Sequence, residues 1–127
     1  MLSIAAAKLG AGRVAAIELD QTAIANAQHN VAANGAARIV HVIHGDAPDI
    51  LPLLAPVNLV LANIISATVL ELLPMIRRSL APRGAAIVSG ILAEERSRVL
   101  HALDGGGWSL EKEDFEEEWW SALIAPR

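Results

Sequence analysis

Short apolar segments alternate with segments of helical periodicity along most of the chain, and this alternation limits the folds that it can form. A short, continuously apolar run is typical of a strand that is buried on both faces of a parallel sheet. Strands that alternate with helices predict an α/β fold, with a mostly parallel sheet covered by helices on both faces. The predicted strands are Arg13–Ile17, Arg38–His44, Val57–Ala62 and Ala85–Ser89.

The predicted helices lie between these strands. Residues 1–9 are predicted to form a helix that ends at Gly10, and Asp20 is predicted to cap a second helix that ends at Asn34-Gly35. A third helix is predicted between Val69 and Leu80, with a kink at Pro74. Residues 93–103 are predicted to form an amphipathic helix, whereas residues 47–56, interrupted by prolines, are predicted to be a connection without a helix.

The C-terminal segment is predicted to form an antiparallel hairpin. Its strands are Trp108–Lys112 and Trp119–Ala125, and a short acidic segment joins them. Residues 116–118 are predicted to form a solvated turn that keeps an edge hairpin from pairing with other chains. Since neighbouring residues of a strand point to opposite faces, one ring of Trp119 and Trp120 should pack and the other should reach the surface.

Composition excludes several classes of protein. The 127 residues suffice for one domain, and neither a repeat nor a linker divides them. With 14 acidic and 10 basic residues, the chain lacks the bulk positive charge typical of a nucleic-acid surface. It has no cysteine for a disulfide or a thiolate metal site. Neither a signal peptide nor a membrane span is predicted, since prolines and asparagines interrupt the uncharged stretch 50–70, so the cytoplasm is the expected compartment.

A polar residue lies at or just after the carboxyl end of each predicted parallel strand: Glu18, Asp46, Asn63 and Ser89. Ligands of doubly wound sheets bind beyond these strand ends, so the pattern predicts a binding crevice there. Glu18 is predicted to accept hydrogen bonds from ribose hydroxyl groups, as an acidic residue about 20 positions after a glycine-rich loop does in dinucleotide sites. The alternative is that Asp20 simply starts a helix while Glu18 is solvated.

Other polar groups favour structural roles. His41 and His44 are three residues apart on a predicted strand and should face opposite sides, so we expect no metal site. No arrangement typical of a nucleophilic triad is present. On the residues alone, a cofactor-dependent transferase, a nicotinamide-dinucleotide oxidoreductase and a non-catalytic binding or assembly module all stay open.

Particular segments resemble a known family. LSIAAAKLGAGRV, AIELD and the helix end NVAANG resemble class I methyltransferases that use S-adenosylmethionine. LVLANIISATVLELLP, IVSGILAEE and EEEWWSALI are similar to the catalytic domain of the PrmA family of ribosomal protein methyltransferases. The resemblance implies a Rossmann-like fold, S-adenosyl-L-methionine as cofactor, and methylation of amino groups (lysine side chains, an N-terminal amine, or both) of a large-subunit ribosomal protein.

The resemblance also implies roles for individual residues. Glu18 stands where the family usually has an aspartate that binds the ribose, and Asp46 matches an acidic residue near the adenine amino group. Asn63 matches an asparagine beside the sulfonium and the incoming amine, so Asn63 is expected to contact both the cofactor and the substrate, and Ile64 the substrate. No side chain is expected to act as a catalytic acid or base. Arg83 departs from the family pattern, since it replaces a glycine that is usual before the following strand.

A further expectation concerns the front of the domain. The family has a central strand and a glycine-rich loop directly before the position of Met1, and an N-terminal domain that recognises the substrate. Residues 1–127 are therefore expected to be a single, N-terminally truncated catalytic domain that does not methylate a substrate by itself and tends to associate through exposed strand edges. The alternatives are an inactive remnant with a binding or assembly role and, less favoured, a nicotinamide-dependent oxidoreductase.

Overall fold

The computed structural model describes residues 2–127, and in them helices and strands alternate as the sequence predicts. The helices are α1 (Leu2–Lys8), α2 (Gln21–Ala33), α3 (Ala47–Leu54), α4 (Ser66–Ser79) and α5 (Arg96–Gly105), with a 3-10 turn at Ala93–Glu95 before α5. The strands are β1 (Val14–Glu18), β2 (Val40–His44), β3 (Val57–Asn63), β4 (Leu80–Leu92), β5 (Trp108–Glu116) and β6 (Trp119–Pro126).

The chain folds as two compact units. The first ends at Ile50 and the second spans Leu51–Arg127, so the boundary falls within α3. The strands of residues 2–127 form two hydrogen-bonded sheets, β1-β2 in the first unit and β3-β4-β6-β5 in the second. Among these residues, β1 pairs with β2 alone and β3 with β4 alone, so each has one edge without a backbone partner.

The first unit has a small core. β1 and β2 pair in parallel from Val14 opposite Val40 to Glu18 opposite His44. The buried residues Val31, Ala36 and Val40 form its hydrophobic cluster. Asp20 caps α2 by accepting a hydrogen bond from the backbone N–H of Thr22 at 2.9 Å, as predicted.

The second unit has a larger core on one face of its sheet. β3 and β4 are parallel, and β4-β6 and β6-β5 are antiparallel, which confirms the C-terminal hairpin. Alternate strand residues point towards α4 and α5, whereas Ile87 on the other face is 37% exposed. The buried cluster comprises Leu51, Val69, Leu73, Ile76, Ala86, Val88, Ile91, Val99, Leu103, Trp108, Trp120, Ala122 and Ile124.

Two local predictions are wrong. Residues 47–54 form helix α3 although Pro52 lies inside it and cannot donate a backbone hydrogen bond. Burial of Leu51 in the core stabilises the helix and offsets the loss of this hydrogen bond. β4 begins at Leu80, opposite Val57, and not at Ala85, because the strand pairing continues across a register shift.

The prediction that one hairpin tryptophan packs in the core and the other reaches the surface is confirmed. Trp120 is 1% exposed and lies in the core, whereas Trp119 is 46% exposed. The acidic turn is shorter than predicted, because Glu116 still pairs with Trp119 and only two residues connect the strands. None of the helices within residues 2–127 has the length and apolar character needed to cross a lipid bilayer.

Candidate functional site

Glu18 and Asp46 lie at the same edge of the β1-β2 sheet. Glu18 is the last residue of β1, and its backbone carbonyl accepts the N–H of Gly45 at 3.0 Å. Asp46 follows Gly45, and its own carbonyl accepts the N–H groups of Asp49 and Ile50 at the start of α3. The structure thus brings together the two acidic residues that the sequence analysis placed at strand ends.

A backbone hydrogen bond holds one oxygen of the Glu18 carboxylate. Its Oε1 accepts the backbone N–H of Asp20 at 3.0 Å, and within residues 2–127 its second oxygen has no hydrogen-bond partner. A carboxylate that is anchored by one oxygen offers the other to a hydroxyl donor, which suits the diol of a ribose. Glu18 itself is half-buried.

The neighbouring carboxylate, that of Asp20, caps the N-terminus of helix α2. Its Oδ1 accepts hydrogen bonds from the hydroxyl and the backbone N–H of Thr22, at 2.7 and 2.9 Å. These hydrogen bonds hold the pKa of Asp20 below its usual value. The two carboxylates of the sequence ELD thus differ in role, since one caps α2 and the other has an oxygen available.

Asn63 ends β3 in the second unit and lies against the backbone of β4. Asn63 pairs with Ser89, and the N–H of Ile64 donates to the Ser89 carbonyl at 3.2 Å. Gly90 has a φ of +77°, and a Cβ placed on it would lie 2.5 Å from Oδ1 of Asn63. Only a glycine therefore allows both this backbone conformation and the observed place of the Asn63 amide.

A β-bulge shapes this part of β4. The pairing with β6 passes from Val88 opposite Ala122 to Ile91 opposite Trp120, so Ser89 and Gly90 together face one residue of β6. Bulges of this kind bend a strand and are frequent beside functional sites. Here the bulge presents the Gly90 backbone to the end of β3.

A polar cluster lies where α4 begins. The Ser66 hydroxyl, which is buried, donates to Oε1 of Glu95 at 2.8 Å and accepts from Nη2 of Arg98 at 2.6 Å. Arg98 also donates to Oε1 of Glu95 at 3.1 Å. Oε2 of Glu95 accepts the backbone N–H of Leu92 at 3.3 Å. The cluster joins the start of α4 to the end of β4.

The predicted site residues thus fall into two pairs, Glu18 with Asp46 and Asn63 with Ile64, one pair in each unit. The sequence analysis did not identify Ser66, Glu95, Arg98 or Gly90 as partners of the second pair. A glycine inside an apolar strand segment is a signal for a bulge or a close backbone approach, and could have indicated Gly90. Within residues 2–127, no three histidine or acidic side chains are grouped to hold a metal ion.

Comparison with known proteins identifies the family. The family profile described as "Ribosomal protein L11 methyltransferase (PrmA)" matches residues 1–126. The ribosomal protein L11 methyltransferase of Pelotomaculum thermopropionicum is 39% identical over 98% of this chain and 40% of its own length. That of an Exiguobacterium species is 37% identical over the whole chain and 40% of its own length.

A solved structure shows the same fold. The crystal structure of a ribosomal protein L11 methylase from Lactobacillus delbrueckii subsp. bulgaricus has a TM-score of 0.90 and 27% identity, over 99% of this chain and 64% of that one. The predicted Rossmann-like methyltransferase fold is thereby confirmed. The chain spans about 40% of the length of these two curated relatives. Together the profile match and the relatives show that the chain belongs to the ribosomal protein L11 methyltransferase (PrmA) family.

Proposed function

We propose that this chain carries the cofactor-binding and methyl-transferring part of an S-adenosylmethionine-dependent protein N-methyltransferase. Its substrate would be ribosomal protein L11, methylated in the cytoplasm on lysine side chains, on the N-terminal amine, or on both. The family match supports the reaction class. The observation that carries the proposal is the amide of Asn63, which lies at the carboxyl end of a parallel strand against the Gly90 backbone.

The residues present suit the cofactor. The second oxygen of the Glu18 carboxylate would accept hydrogen bonds from the ribose hydroxyl groups. Asp46 is exposed at the same edge of the β1-β2 sheet, and its carboxylate would accept a hydrogen bond from the adenine amino group. Both roles need acceptors, and both residues carry a carboxylate.

Methyl transfer needs orientation more than acid–base catalysis. S-adenosylmethionine, when bound, would supply an electrophilic methyl group. The lone pair of a neutral substrate amine would form a bond to the methyl carbon as the S–CH3 bond breaks, and the resulting ammonium group would lose a proton to solvent. The Asn63 amide oxygen would accept a hydrogen bond from the amine and direct its lone pair, while Ile64 would contact the substrate. Alignment of this kind can supply much of the rate enhancement of a group transfer.

Because residues 1–127 by themselves are expected to be inactive, the cofactor site is tested by calorimetric titration of S-adenosylmethionine into a protein that extends upstream of residue 1. Glu18→Ala should weaken binding by about 1–3 kcal/mol, because a charged hydrogen-bond partner is lost. Glu71→Ala removes an exposed glutamate of α4 and should leave the affinity unchanged. Equal affinities of the two variants would remove Glu18 from the site, and binding of NAD in place of S-adenosylmethionine would favour an oxidoreductase.

Transfer of a tritiated methyl group to purified L11 by the same upstream-extended protein tests the amine site. Asn63→Ala should lower the single-turnover rate by about tenfold, the effect of losing one orienting hydrogen bond, with little change in cofactor affinity. Asn58→Ala is the matched control, since Asn58 is an exposed asparagine near the start of the same strand. Parent-level rates in Asn63→Ala would make Asn63 a turn residue, and cofactor binding without any transfer would favour the binding remnant.

A further inference from the structure

We propose that Glu95 is a positioning residue that holds residues 63–66 in place and so orients the Asn63 amide towards the substrate amine. The inference rests on the proposed function, in which Asn63 contacts that amine. Glu95 itself lies on the 3-10 turn before α5, and its hydrogen bonds go to side chains and backbone of the protein. Its effect on the reaction would therefore pass through residues 63–66.

One carboxylate connects two elements that border the site. Oε1 of Glu95 accepts the Ser66 hydroxyl at 2.8 Å, and Ser66 is the first residue of α4. Oε2 accepts the N–H of Leu92, the last residue of β4, at 3.3 Å. Ser66 is 4% exposed, so its hydroxyl would be left buried without an acceptor if Glu95 were removed.

Arg98 completes the cluster but is its weaker member. It donates to the Ser66 hydroxyl at 2.6 Å and to Glu95 at 3.1 Å, so the hydroxyl both donates and accepts and its direction is determined. The Arg98 side chain is 57% exposed, against 30% for Glu95. Ion pairs at such exposure contribute little, and we therefore assign the positioning role to the carboxylate.

Residues 63–66 are held at both ends. At the first end, the Ile64 N–H donates to the Ser89 carbonyl and Asn63 lies against Gly90. At the second end, Ser66 is bound by Glu95. Between these ends Ile65 is 68% exposed, so the segment presents an amide and an apolar side chain to a ligand while its backbone is fixed. Loss of the second attachment should let the first one loosen.

Amide hydrogen exchange in the 127-residue protein and methyl transfer by the upstream-extended protein together test this role. Glu95→Ala should raise the exchange rate of the Ile64 N–H about tenfold and shift the NMR signals of the Asn63 side-chain amide. Glu95→Gln should have a smaller effect, since its one carbonyl oxygen can accept from Ser66 or from Leu92 only. Glu94→Ala removes the adjacent exposed glutamate and should change exchange by no more than about twofold.

In the transfer assay, Glu95→Ala should lower kcat about tenfold at unchanged affinity for S-adenosylmethionine, with partial recovery in Glu95→Gln. Unaltered exchange and amide signals in Glu95→Ala would overturn the positioning role, and so would an equal rise in exchange throughout β3–β6, which would make Glu95 a general contributor to stability. If the unsubstituted, upstream-extended protein transfers no methyl group, the proposed function fails, while exchange at Ile64 still decides the role of Glu95.

Discussion

Asn63 owes its place to a residue 27 positions later in the chain. Its Oδ1 occupies space that any side chain at position 90 would fill, and Gly90 also adopts a positive φ that other residues rarely tolerate. The asparagine supplies the amide, and the glycine supplies the room for it. The sequence shows Asn63 and Gly90 as two separate residues. Only the folded chain shows that the position of one depends on the other.

Arg83 is a second residue whose backbone matters more than its side chain. It has a φ of +67°, a conformation that costs a residue with a Cβ about 1–3 kcal/mol. The sequence analysis noted that it replaces a usual glycine, and the structure provides the reason for that glycine. The Arg83 side chain itself is exposed, so it adds no bulk to the core.

We predict that Arg83→Gly raises the free energy of unfolding by about 0.5–1 kcal/mol. Relief of the left-handed backbone exceeds the additional freedom that glycine gives the unfolded chain. Urea denaturation of the 127-residue protein would measure the change. Arg83→Ala is the control, because it removes the same charge and keeps the Cβ; an equal gain in both variants would attribute the effect to the arginine side chain.

At the scale of elements, one ion pair connects α5 to the C-terminal hairpin. The Arg96 guanidinium donates to both carboxylate oxygens of Glu113, at 2.7 and 2.9 Å, and the Trp120 indole N–H donates to the same carboxylate at 2.7 Å. The hydrogen bonds from Arg96, and after them the one from Trp120, lower the pKa of Glu113 from 4.5 to about 2. The same pairing raises the pKa of Arg96.

This pair should make stability depend on pH in the acid range. Since the folded state lowers the pKa of Glu113, its contribution is complete above pH 4.5 and is lost as the pH falls towards 2. The difference in Tm between the unsubstituted protein and Glu113→Gln should therefore be largest at neutral pH and disappear near pH 2. Glu111→Gln, which removes an exposed carboxylate from the same strand, is the control for the loss of one negative charge. A constant difference would mean that Glu113 acts through packing.

At the scale of the whole molecule, the two compact units have cores of very different size. Among the residues that the structure describes, three buried residues form the cluster of the first unit, against thirteen in the second. Because burial of apolar surface is the main favourable term in folding, the second unit has far more to stabilise it. Within residues 2–127, β1 and β3 each have one edge without a backbone partner. The expected association between chains through such edges stays a prediction, which light scattering can test.

Hydrogen exchange should reveal this difference between the cores. Amide protons in β1 and β2 should exchange at least about tenfold faster than those in β4 and β6, because a small cluster opens locally at lower cost. Native-state exchange followed by NMR on the 127-residue protein would give both rates. Equal protection in all four strands would show that the chain opens only as a single cooperative unit.

The sequence by itself determined the elements and their class. Apolar runs, the Asp20 cap and the glycine after α2 depend on local periodicity and backbone preference, so strands β1 to β3 and helices α1, α2 and α4 lie close to where they were predicted. The positions of Glu18, Asp46 and Asn63 at strand ends could be predicted for the same reason, since a strand end is a local property.

Tertiary structure decided what depends on distant partners. Helix α3 forms against the local signal of Pro52 because Leu51 is buried in a core built by later residues. Three further features depend on residues far apart in the chain: the division of the strands into two sheets, the bulge at Ser89-Gly90, and the cluster of Ser66 with Glu95 and Arg98. No local pattern encodes such contacts, because their free energy arises only when the chain has brought both partners together.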